Sequence, residues 1–249
     1  MSKIKLNPEG KTVLISGANR GIGRAIAIEF LAQGAKKVYA GARDPLKLSD
    51  LKEKFGERII PIKLDVTDNE TIENLRLQAQ DVDILVNNAG ILAPGGFLSA
   101  NTIENLKHHF SVNVWGLLKL TNALIDSLKN KEEAAIVNLI SMVGLANMPM
   151  IGAYSASKAT VHSITQGIRG ELEQDNILVS GVYPGPIDTE MAKGFEMEKE
   201  SPGQVAKKII QALKDGQEDI FPDKMSEKVG KDYFENPKMV EKEFGAFNE

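Results

Sequence analysis

The sequence contains no cysteine among its 249 residues. Disulfide bonds, a cysteine nucleophile and metal sites with cysteine ligands are therefore excluded, which fits a reducing compartment. Apolar runs are short, and none approaches the roughly 18 residues that a membrane-spanning helix needs. The first residues carry charges and a proline where a signal peptide needs an apolar core, and the last ones match no retention or peroxisomal signal. These absences predict a cytoplasmic protein with no membrane partner.

An excess of positive charge is also missing. The chain has 30 basic and 34 acidic residues, a net charge of −4 and a pI of about 5.6. Because a nucleic-acid-binding surface is normally basic and clustered, we expect no nucleic-acid partner. The histidines His108, His109 and His162 lack metal-ligand spacing, so we expect no metal site and interpret them as helix-surface or hydrogen-bonded residues. With 42% hydrophobic and 26% charged residues the composition is globular, and the length leaves one or two domains open.

Apolar runs alternate with segments of helical periodicity along most of the chain. The runs cover residues 12–16, 37–41, 59–64, 82–87, 134–140, 178–183 and, weakly, 219–221; the helical segments cover residues 24–33, 46–55, 70–80, 102–128, 154–174 and 202–214. Near-continuous Val, Ile and Leu is typical of parallel strands covered on both faces. This alternation predicts an α/β fold with a doubly wound parallel sheet of about seven strands and helices on both faces.

No linker or internal repeat interrupts that alternation. We therefore predict a single domain over residues 1–249, with a core at about 10–222 and a C-terminal tail at about 223–249. The tail is charged with scattered aromatic residues, and three outcomes stay open for it. It docks on the body, docks on a neighbouring subunit, or frays.

A glycine-rich turn follows the first predicted strand and leads directly into a helix. Gly17, Gly21 and Gly23 suit a tight turn whose backbone amides face outward, so that a pyrophosphate binds at the positive end of the helix. The spacing is not G-x-G-x-x-G and the motif lacks the Lys-Ser/Thr of a P-loop, so an ordinary turn is the alternative. Its position after the first strand favours a ligand site, because ligands of such sheets gather at the carboxyl ends of strands.

The end of the second predicted strand indicates which dinucleotide would bind. An NAD site normally has an acidic residue there to hold the ribose 2′-hydroxyl, but the sequence has Ala42 and Arg43. The planar guanidinium of Arg43 suits a 2′-phosphate instead, and we expect Arg20 to approach the same place. Asp44 follows immediately and supplies an acidic residue next to this position. The alternative for Arg43 is an ordinary arginine exposed to solvent at the end of a strand. We predict NADP(H) as the cofactor, with NAD as the alternative.

Tyr154 and Lys158 are four residues apart on a predicted helix, so the phenol and the ammonium share one face. A phenol with its ordinary pKa near 10 is a poor acid–base group at neutral pH, and a neighbouring cation is expected to lower that pKa. Ser141 ends the fifth predicted strand, where its hydroxyl can donate to a carbonyl oxygen that gains negative charge. In isolation such a Tyr-Lys pair also occurs by chance on helix surfaces.

These features form an ordered series with the asparagine-rich turn at residues 87–90 and the proline-glycine turn at residues 184–189. With this series, over about residues 10–222, the chain resembles the short-chain dehydrogenase/reductase family in its compact, NADP-preferring form. The resemblance implies a Rossmann-like fold. It also implies hydride transfer between the nicotinamide of NADP(H) and a carbonyl or alcohol carbon, and assembly as a homodimer or homotetramer.

The resemblance further implies roles for individual residues. Tyr154 is the general acid or base, and Lys158 lowers its pKa and binds the nicotinamide ribose. Ser141 polarises the substrate carbonyl, and Asn113 anchors a proton-relay water. The implied cofactor-binding residues are Gly17, Asn19, Arg20, Gly21, Ile22, Gly23, Arg43, Asp65, Val66, Asn87, Ala89, Gly90, Tyr154, Lys158, Pro184, Gly185, Ile187 and Thr189.

Two variable segments, residues 144–151 and 188–201, are expected to contact the substrate. The second holds Met191, Phe195 and Met197 among charged residues and is predicted to act as a lid. Adaptable apolar side chains suit a small hydrophobic carbonyl or alcohol, although Lys193 and Lys199 leave an anionic substrate open.

Other functions stay open as alternatives to the predicted reductase. They are a non-catalytic dinucleotide-sensing regulator, an NAD-dependent alcohol dehydrogenase, and a nucleotide-sugar epimerase or dehydratase. The last resembles an extended branch with a further domain, which the roughly 27 residues after Pro222 are too few to build. The sensor typically lacks the tyrosine or the lysine, and this chain has both.

Overall fold

The strands of the computed structural model, which describes residues 4–194 and 196–247, form one parallel sheet. They are β1 (Thr12–Ser16), β2 (Lys37–Ala42), β3 (Ile59–Lys63), β4 (Ile84–Asn87), β5 (Ala134–Leu139), β6 (Ile177–Val182) and β7 (Asp219–Ile220). Their order across the sheet is β3-β2-β1-β4-β5-β6-β7. The predicted doubly wound sheet is therefore confirmed, with strand ends within about two residues of the apolar runs.

The apolar runs form strands because both faces of the sheet are covered. Every residue of β1, β5 and β6 is buried. Successive side chains of a strand point to opposite faces, so Val13 and Ile15 join the core on one side while Leu14 joins the core on the other. Alternation with polar residues is absent because neither face meets water.

The helices cover both faces of this sheet. They are α1 (Gly21–Ala32), α2 (Ser49–Phe55), α3 (Asn69–Gln78), α4 (Thr102–His109), α5 (Gly116–Lys129), α6 (Gly152–Glu171), α7 (Pro202–Asp215), α8 (Lys224–Glu235) and α9 (Pro237–Gly245). Helices α1, α2 and α7 pack on one face, and α3, α5 and α6 on the other. The single helix predicted over residues 102–128 consists of α4, a π-helical segment (Phe110–Trp115) and α5.

The strand order reverses between β1 and β4. The next strand after β1, β2, lies on one side of this pair, and the next strand after β4, β5, lies on the other side. A crevice for ligands forms at such a reversal, outside the carboxyl ends of the strands. The glycine loop follows β1, the asparagine-rich turn follows β4, Ser141 follows β5, and the 184–189 turn follows β6. The topology therefore brings the ordered sequence motifs to one edge of the sheet.

The C-terminal tail forms α8 and α9 and docks on the body of its own chain, which decides among the three outcomes left open by the sequence. Val229, Val240 and Phe244 are buried in one apolar cluster with Met148 and Tyr154. Among the described residues, no helix is both long and apolar enough to cross a membrane.

Candidate active site

Helix α1 begins directly after the glycine loop, and no side chain in the described part of the chain caps its N-terminus. By contrast, Asp68, Ser201 and Asp223 cap α3, α7 and α8. The first N–H groups of a helix have no intrahelical partner, and the helix dipole adds positive potential there. The start of α1 is therefore available to an anion such as a pyrophosphate.

The glycine loop fits a dinucleotide through its backbone shape. Gly17 and Gly21 have φ values of 70° and 55°, which favour glycine. A Cβ atom on Gly23 would lie 2.3 Å from Asn88 Nδ2 and 2.4 Å from the Gly17 carbonyl oxygen, so no other residue fits there. Thr189 of the 184–189 turn lies close to Gly21, since a Cβ on that glycine would be 3.2 Å from Thr189 Cγ2.

The turn after β4 is fastened to the glycine loop by Asn88, a residue that the sequence reasoning did not include among the cofactor-binding positions. Its Nδ2 donates to the carbonyl oxygens of Ser16 at 2.9 Å and Gly17 at 3.1 Å. The Ser16 hydroxyl oxygen accepts from the backbone amides of Asn88 and Ala89 at 3.1 and 3.0 Å. The sequence contains a signal for this role of Asn88. Asn87 and Asn88 are consecutive at the end of a buried strand, where successive side chains point in opposite directions, so only one of the two can be directed into the protein.

Asn87 was predicted to line the cofactor wall, but its side chain is directed into the protein. Its Nδ2 donates to Thr121 Oγ1 at 3.0 Å and to Asn138 Oδ1 at 2.9 Å, and the residue is 4% exposed. Asn138 in turn donates to Thr165 Oγ1 at 3.0 Å. The side chain of Asn87 therefore ties β4 to β5 and α5, and only its backbone reaches the edge of the sheet.

Arg20 and Arg43 are exposed, and neither side chain forms an ion pair or hydrogen bond with another described residue. The nearby Arg24 is instead paired with Asp50. Burial acts to raise the pKa of Asp65, but hydrogen bonds from Thr67 and the charge of Arg43 hold that pKa below its usual value. The Arg43 guanidinium is thus close to the predicted adenine-binding segment and keeps its donors free.

The predicted adenine-binding pair is anchored on both of its residues. The Asp65 carboxylate accepts from the Thr67 amide at 2.9 Å and from the Thr67 hydroxyl at 2.7 Å. Val66 is buried against Gly116 at the start of α5, where a Cβ would lie 2.6 Å from Val66 Cγ2. The missing side chain at position 116 therefore lets α5 approach this segment.

Ser141, Tyr154 and Lys158 are brought together at the carboxyl end of β5, and all three are buried. Lys158 Nζ lies 5.7 Å from the centre of the Tyr154 ring and donates to the Leu139 carbonyl oxygen at 2.6 Å. The Ser141 hydroxyl donates to the Pro184 carbonyl oxygen at 3.2 Å, and a hydrogen bond also links it to Tyr154. A phenol, a hydroxyl and an ammonium therefore converge at one place.

The expected lowering of the Tyr154 pKa by Lys158 is wrong for the site without ligands. Burial raises the pKa of Tyr154 to about 12, against a smaller lowering by the hydrogen bond with Ser141. Burial also lowers the pKa of Lys158 to about 8. Low-dielectric surroundings disfavour both charged forms, and the ammonium is directed to the Leu139 carbonyl rather than to the phenol oxygen.

Asn113 lies in the π-helical segment between α4 and α5, a feature that nothing in the sequence indicated. Its Oδ1 accepts from the Ile91 amide at 2.9 Å, and its Nδ2 donates to the Ile91 carbonyl oxygen at 3.1 Å and to Ser157 Oγ at 2.9 Å. Short π segments occur preferentially at functional sites. Here the side chain joins the loop after β4 to the helix that carries Tyr154.

His109 is a buried, hydrogen-bonded histidine, one of the two kinds of site expected for the histidines. Its Nε2 accepts from the Ala93 amide at 3.1 Å, which leaves Nδ1 to donate to the Asn105 carbonyl oxygen at 2.8 Å. Its ring meets that of Tyr154 edge-on at 6.0 Å. Burial lowers the pKa of His109, so the neutral ring packs against the phenol.

A cavity of about 130 Å³ opens beside Ser141 and Tyr154. Among the described residues its lining is almost wholly apolar and includes none that is charged. It consists of Ile22, Leu92, Ser141, Met142, Val143, Met148, Ile151, Tyr154, Pro184, Gly185, Pro186, Ile187, Thr189, Met191, Ala192 and Met197. Both segments predicted to contact the substrate contribute to it; of the predicted lid residues, Phe195 lies outside the described residues. Lys193 pairs with Glu190 at 2.7 Å and does not line the cavity.

Comparisons with known proteins agree with this arrangement. The family described as short chain dehydrogenase matches residues 11–200. An uncharacterized oxidoreductase of Staphylococcus saprophyticus is 31% identical over 216 residues, which cover 82% of this chain and 92% of the relative. A crystal structure of a short chain dehydrogenase from Burkholderia cenocepacia in complex with NADP has a TM-score of 0.90 at 30% identity, covering 96% of this chain and 99% of that one. A 3-ketoacyl-(acyl-carrier-protein) reductase from Brucella melitensis complexed with NADH has a TM-score of 0.77 at 25% identity, covering 86% and 98%.

The family match spans most of the chain, and the similar structure from Burkholderia cenocepacia covers nearly all of it. The predicted membership of the short-chain dehydrogenase/reductase family is thereby confirmed, together with the Rossmann-like fold. The chain belongs to the short chain dehydrogenase family of oxidoreductases.

Proposed function

We propose that the protein is an NADP(H)-dependent oxidoreductase that interconverts a small hydrophobic carbonyl compound and the corresponding alcohol. The observation that carries the proposal is an apolar cavity lined by Ser141 and Tyr154, next to an uncapped helix N-terminus. Lys158 Nζ lies behind the cavity wall, 5.7 Å from the centre of the Tyr154 ring. A proton donor, a hydroxyl donor and an anion site are the groups that carbonyl reduction with a dinucleotide requires.

The choice of NADP(H) over NAD(H) rests on two exposed arginines whose side chains form no ion pair or hydrogen bond with any described residue. Arg43 supplies a planar donor group beside Asp65, and Arg20 is at the start of α1. Guanidinium groups bind phosphate through paired hydrogen bonds, so they favour the 2′-phosphate that distinguishes the two dinucleotides. The similar protein from Burkholderia cenocepacia was solved with NADP, whereas the reductase from Brucella melitensis was solved with NADH.

The bound cofactor supplies the hydride in reduction and accepts it in oxidation. Tyr154 gives the proton to the carbonyl oxygen in reduction, and its raised pKa keeps the phenol protonated at neutral pH. Ser141 donates a hydrogen bond to the same oxygen. Lys158 binds ribose hydroxyls and stabilises the phenolate as it forms, and Asn113 anchors a relay water.

The cavity supports an uncharged substrate. Four of the eight methionines of the chain line the cavity, namely Met142, Met148, Met191 and Met197. Thioether side chains adapt to differently shaped apolar groups. No charged residue is present in the described part of the lining, which argues against a carboxylate or phosphate near the reacting carbon. Ketones and aldehydes with compact apolar substituents are the proposed substrates.

The proposed assembly is a homodimer or homotetramer. Ile103, on α4, is 66% exposed, and Trp115, at the end of the π-helical segment, is 54% exposed. Large exposed apolar side chains are typical of interfaces. Sedimentation equilibrium tests this proposal, and a strictly monomeric protein at micromolar concentration contradicts it.

The decisive test compares the wild type with Tyr154→Phe in a panel of ketones and aldehydes, followed through NADPH absorbance. We expect turnover by the wild type and a loss of at least about 1,000-fold in the variant, because the other hydroxyls among the described lining residues, Ser141 and Thr189, are much weaker acids than a phenol. NADPH affinity should be kept in both. Retained activity in the variant would refute the mechanism. Tight NADPH binding without turnover of any compound by the wild type would favour a dinucleotide sensor.

A further inference from the structure

Asp223 is a buried carboxylate that binds two separate parts of the chain. It is 6% exposed and stands at the start of α8, outside the family motifs. Its Oδ1 accepts from the Ser226 amide at 2.9 Å. Its Oδ2 accepts from the Gly185 amide at 2.8 Å and also from the Ser226 hydroxyl at 2.9 Å. Burying a carboxylate costs free energy of folding unless hydrogen bonds satisfy its oxygens. A buried position for Asp223 is therefore expected only if its contacts serve a structural or functional role.

Capping of α8 explains only the first contact. Asp223 and Ser226 form a reciprocal capping box, in which the Ser226 hydroxyl oxygen accepts from the Asp223 amide at 3.2 Å. Asp68 caps α3 with one oxygen, which accepts from the Glu70 amide at 2.9 Å, and it is exposed. A helix cap therefore requires neither burial nor a second acceptor oxygen.

The second contact reaches the turn that borders the cavity. Gly185 lies between Pro184 and Pro186, which have no backbone N–H, so its amide is the single backbone donor of these three residues. A Cβ at position 185 would lie 2.8 Å from Asp223 Oδ1, so glycine is needed for this approach. The Pro184 carbonyl oxygen accepts from Ser141 Oγ and the Met142 amide, which fixes the other side of the turn.

We propose that Asp223 is a positioning residue, which through Gly185 holds the 184–189 turn in the conformation that binds the nicotinamide end of the cofactor. This inference rests on the proposed function. Asp223 does not line the cavity, so it acts through the turn and not on the substrate. Without it the Gly185 amide loses its acceptor, and Ile187 and Thr189 lose their fixed position relative to the glycine loop.

The test uses substitutions to separate the helix-capping contact of Asp223 from its contact with Gly185. It uses two ligands to separate binding of the nicotinamide end of the cofactor from binding of the rest. Asp223→Ser keeps a preferred N-cap residue, but its side chain is too short to reach Gly185. Gly185→Ala disturbs the same contact from the side of the turn, because its Cβ would press on the Asp223 carboxylate, and it keeps Asp223 as the N-cap residue. Asp68→Ala is the matched control for loss of a helix cap away from the cavity. Calorimetry then measures the affinity of each variant for NADP and for 2′-phospho-ADP-ribose, which lacks the nicotinamide ring.

We expect Asp223→Ser and Gly185→Ala to bind NADP about 10- to 100-fold more weakly than the wild type, the size of effect for a lost hydrogen bond to a charged group. Their affinity for 2′-phospho-ADP-ribose should be unchanged, and kcat should fall more than the substrate KM rises. Asp68→Ala should change neither affinity.

Equal weakening of both ligands, or unchanged NADP affinity in both variants, would overturn the positioning role. A variant that fails to fold is replaced by the other, since each disturbs the contact from one side. If the wild type binds neither ligand, the proposed function itself fails, and this result is distinct from a variant that binds like the wild type.

Discussion

The glycine edge (residues 16–23 and 87–90) and the substrate cavity beside it obtain their shapes from different parts of the chain. The edge is built from backbone: glycines at close approaches, an uncapped helix and amide groups held by Asn88. The cavity is built from side chains, chiefly methionines, that come from separate segments. A backbone site tolerates almost no change at its glycines, whereas a side-chain site tolerates exchange of one apolar group for another.

The largest effect should come from Gly23→Ala, which tests the backbone half of this comparison. The new Cβ would lie 2.4 Å from the Gly17 carbonyl oxygen, and backbone atoms cannot move aside as a flexible side chain can. We expect NADPH affinity to fall on the order of 100-fold or more through distortion of the loop. Calorimetric titration measures it.

Gly167→Ala is the matched control, because this glycine lies within α6 and a Cβ there would meet nothing within 4 Å. Alanine is the better helix former, so this variant should keep NADPH affinity and gain about 0.5–1 kcal/mol of stability. If Gly23→Ala binds NADPH as tightly as Gly167→Ala, the edge does not depend on backbone approach in the way described.

The contrast also explains how much of the site was predictable from the sequence. Glycine spacing, the Tyr154–Lys158 pair and Ser141 were visible because backbone geometry and helical spacing leave fixed intervals in a sequence. The strands were visible because β1 and β5 are covered on both faces and so are almost wholly apolar. These features depend on residues that are near one another in the chain.

The remainder depends on contacts between distant residues. Nothing in the sequence of Phe110–Trp115 distinguishes a π segment from ordinary helix. The apolar residues of α8 and α9 indicate a buried face but not that its partners are Met148 and Tyr154. The predicted lowering of the Tyr154 pKa is wrong for the site without ligands because burial, which raises that pKa, is set by the tertiary fold.

The next largest effect should come from Arg43→Ala, which tests whether side chains at the edge select the cofactor. We expect NADPH affinity to fall about 10- to 100-fold while NADH affinity stays within about twofold, because the guanidinium would contact only the 2′-phosphate. Arg76→Ala is the control, since Arg76 pairs with Glu73 on the surface of α3. Equal losses for the two dinucleotides would show that Arg43 does not select between them.

Lys158→Met should separate activity from stability at the junction of the two regions. Burial lowers the pKa of Lys158 to about 8, so its protonated form destabilises the fold by about 3 kcal/mol at pH 7. Removing the ammonium also loses the hydrogen bond to the Leu139 carbonyl, worth about 1 kcal/mol. We therefore expect a Tm several degrees above that of the wild type without ligand, and almost no turnover.

The pH dependence of the Tm difference between Lys158→Met and the wild type tests whether the buried ammonium is its cause. A lysine whose folded pKa is lowered binds its proton better in the unfolded state, so its destabilising effect is complete below pH 8 and is lost as the pH rises toward 10.5. The Tm difference between Lys158→Met and the wild type should shrink across that interval in differential scanning calorimetry. A constant difference would show that the ammonium is not the cause.

The smallest effect should come from the cavity wall, where Met191→Ala tests how far side chains can change without disturbing the edge. Met191 lines the cavity but is 39% exposed, so truncation should enlarge the cavity at a cost below about 1 kcal/mol. We expect kcat/KM for ketones with one larger apolar substituent to rise about 3- to 5-fold, with unchanged NADPH affinity. Met225→Ala is the matched control, because Met225 is 38% exposed on α8 and does not line the cavity. If both variants, or neither, change the preference for substrate size, the lid segment does not form the wall of the cavity. The interpretation of the cavity as a site built from side chains then fails, whereas that of the glycine edge as a site built from backbone is unaffected.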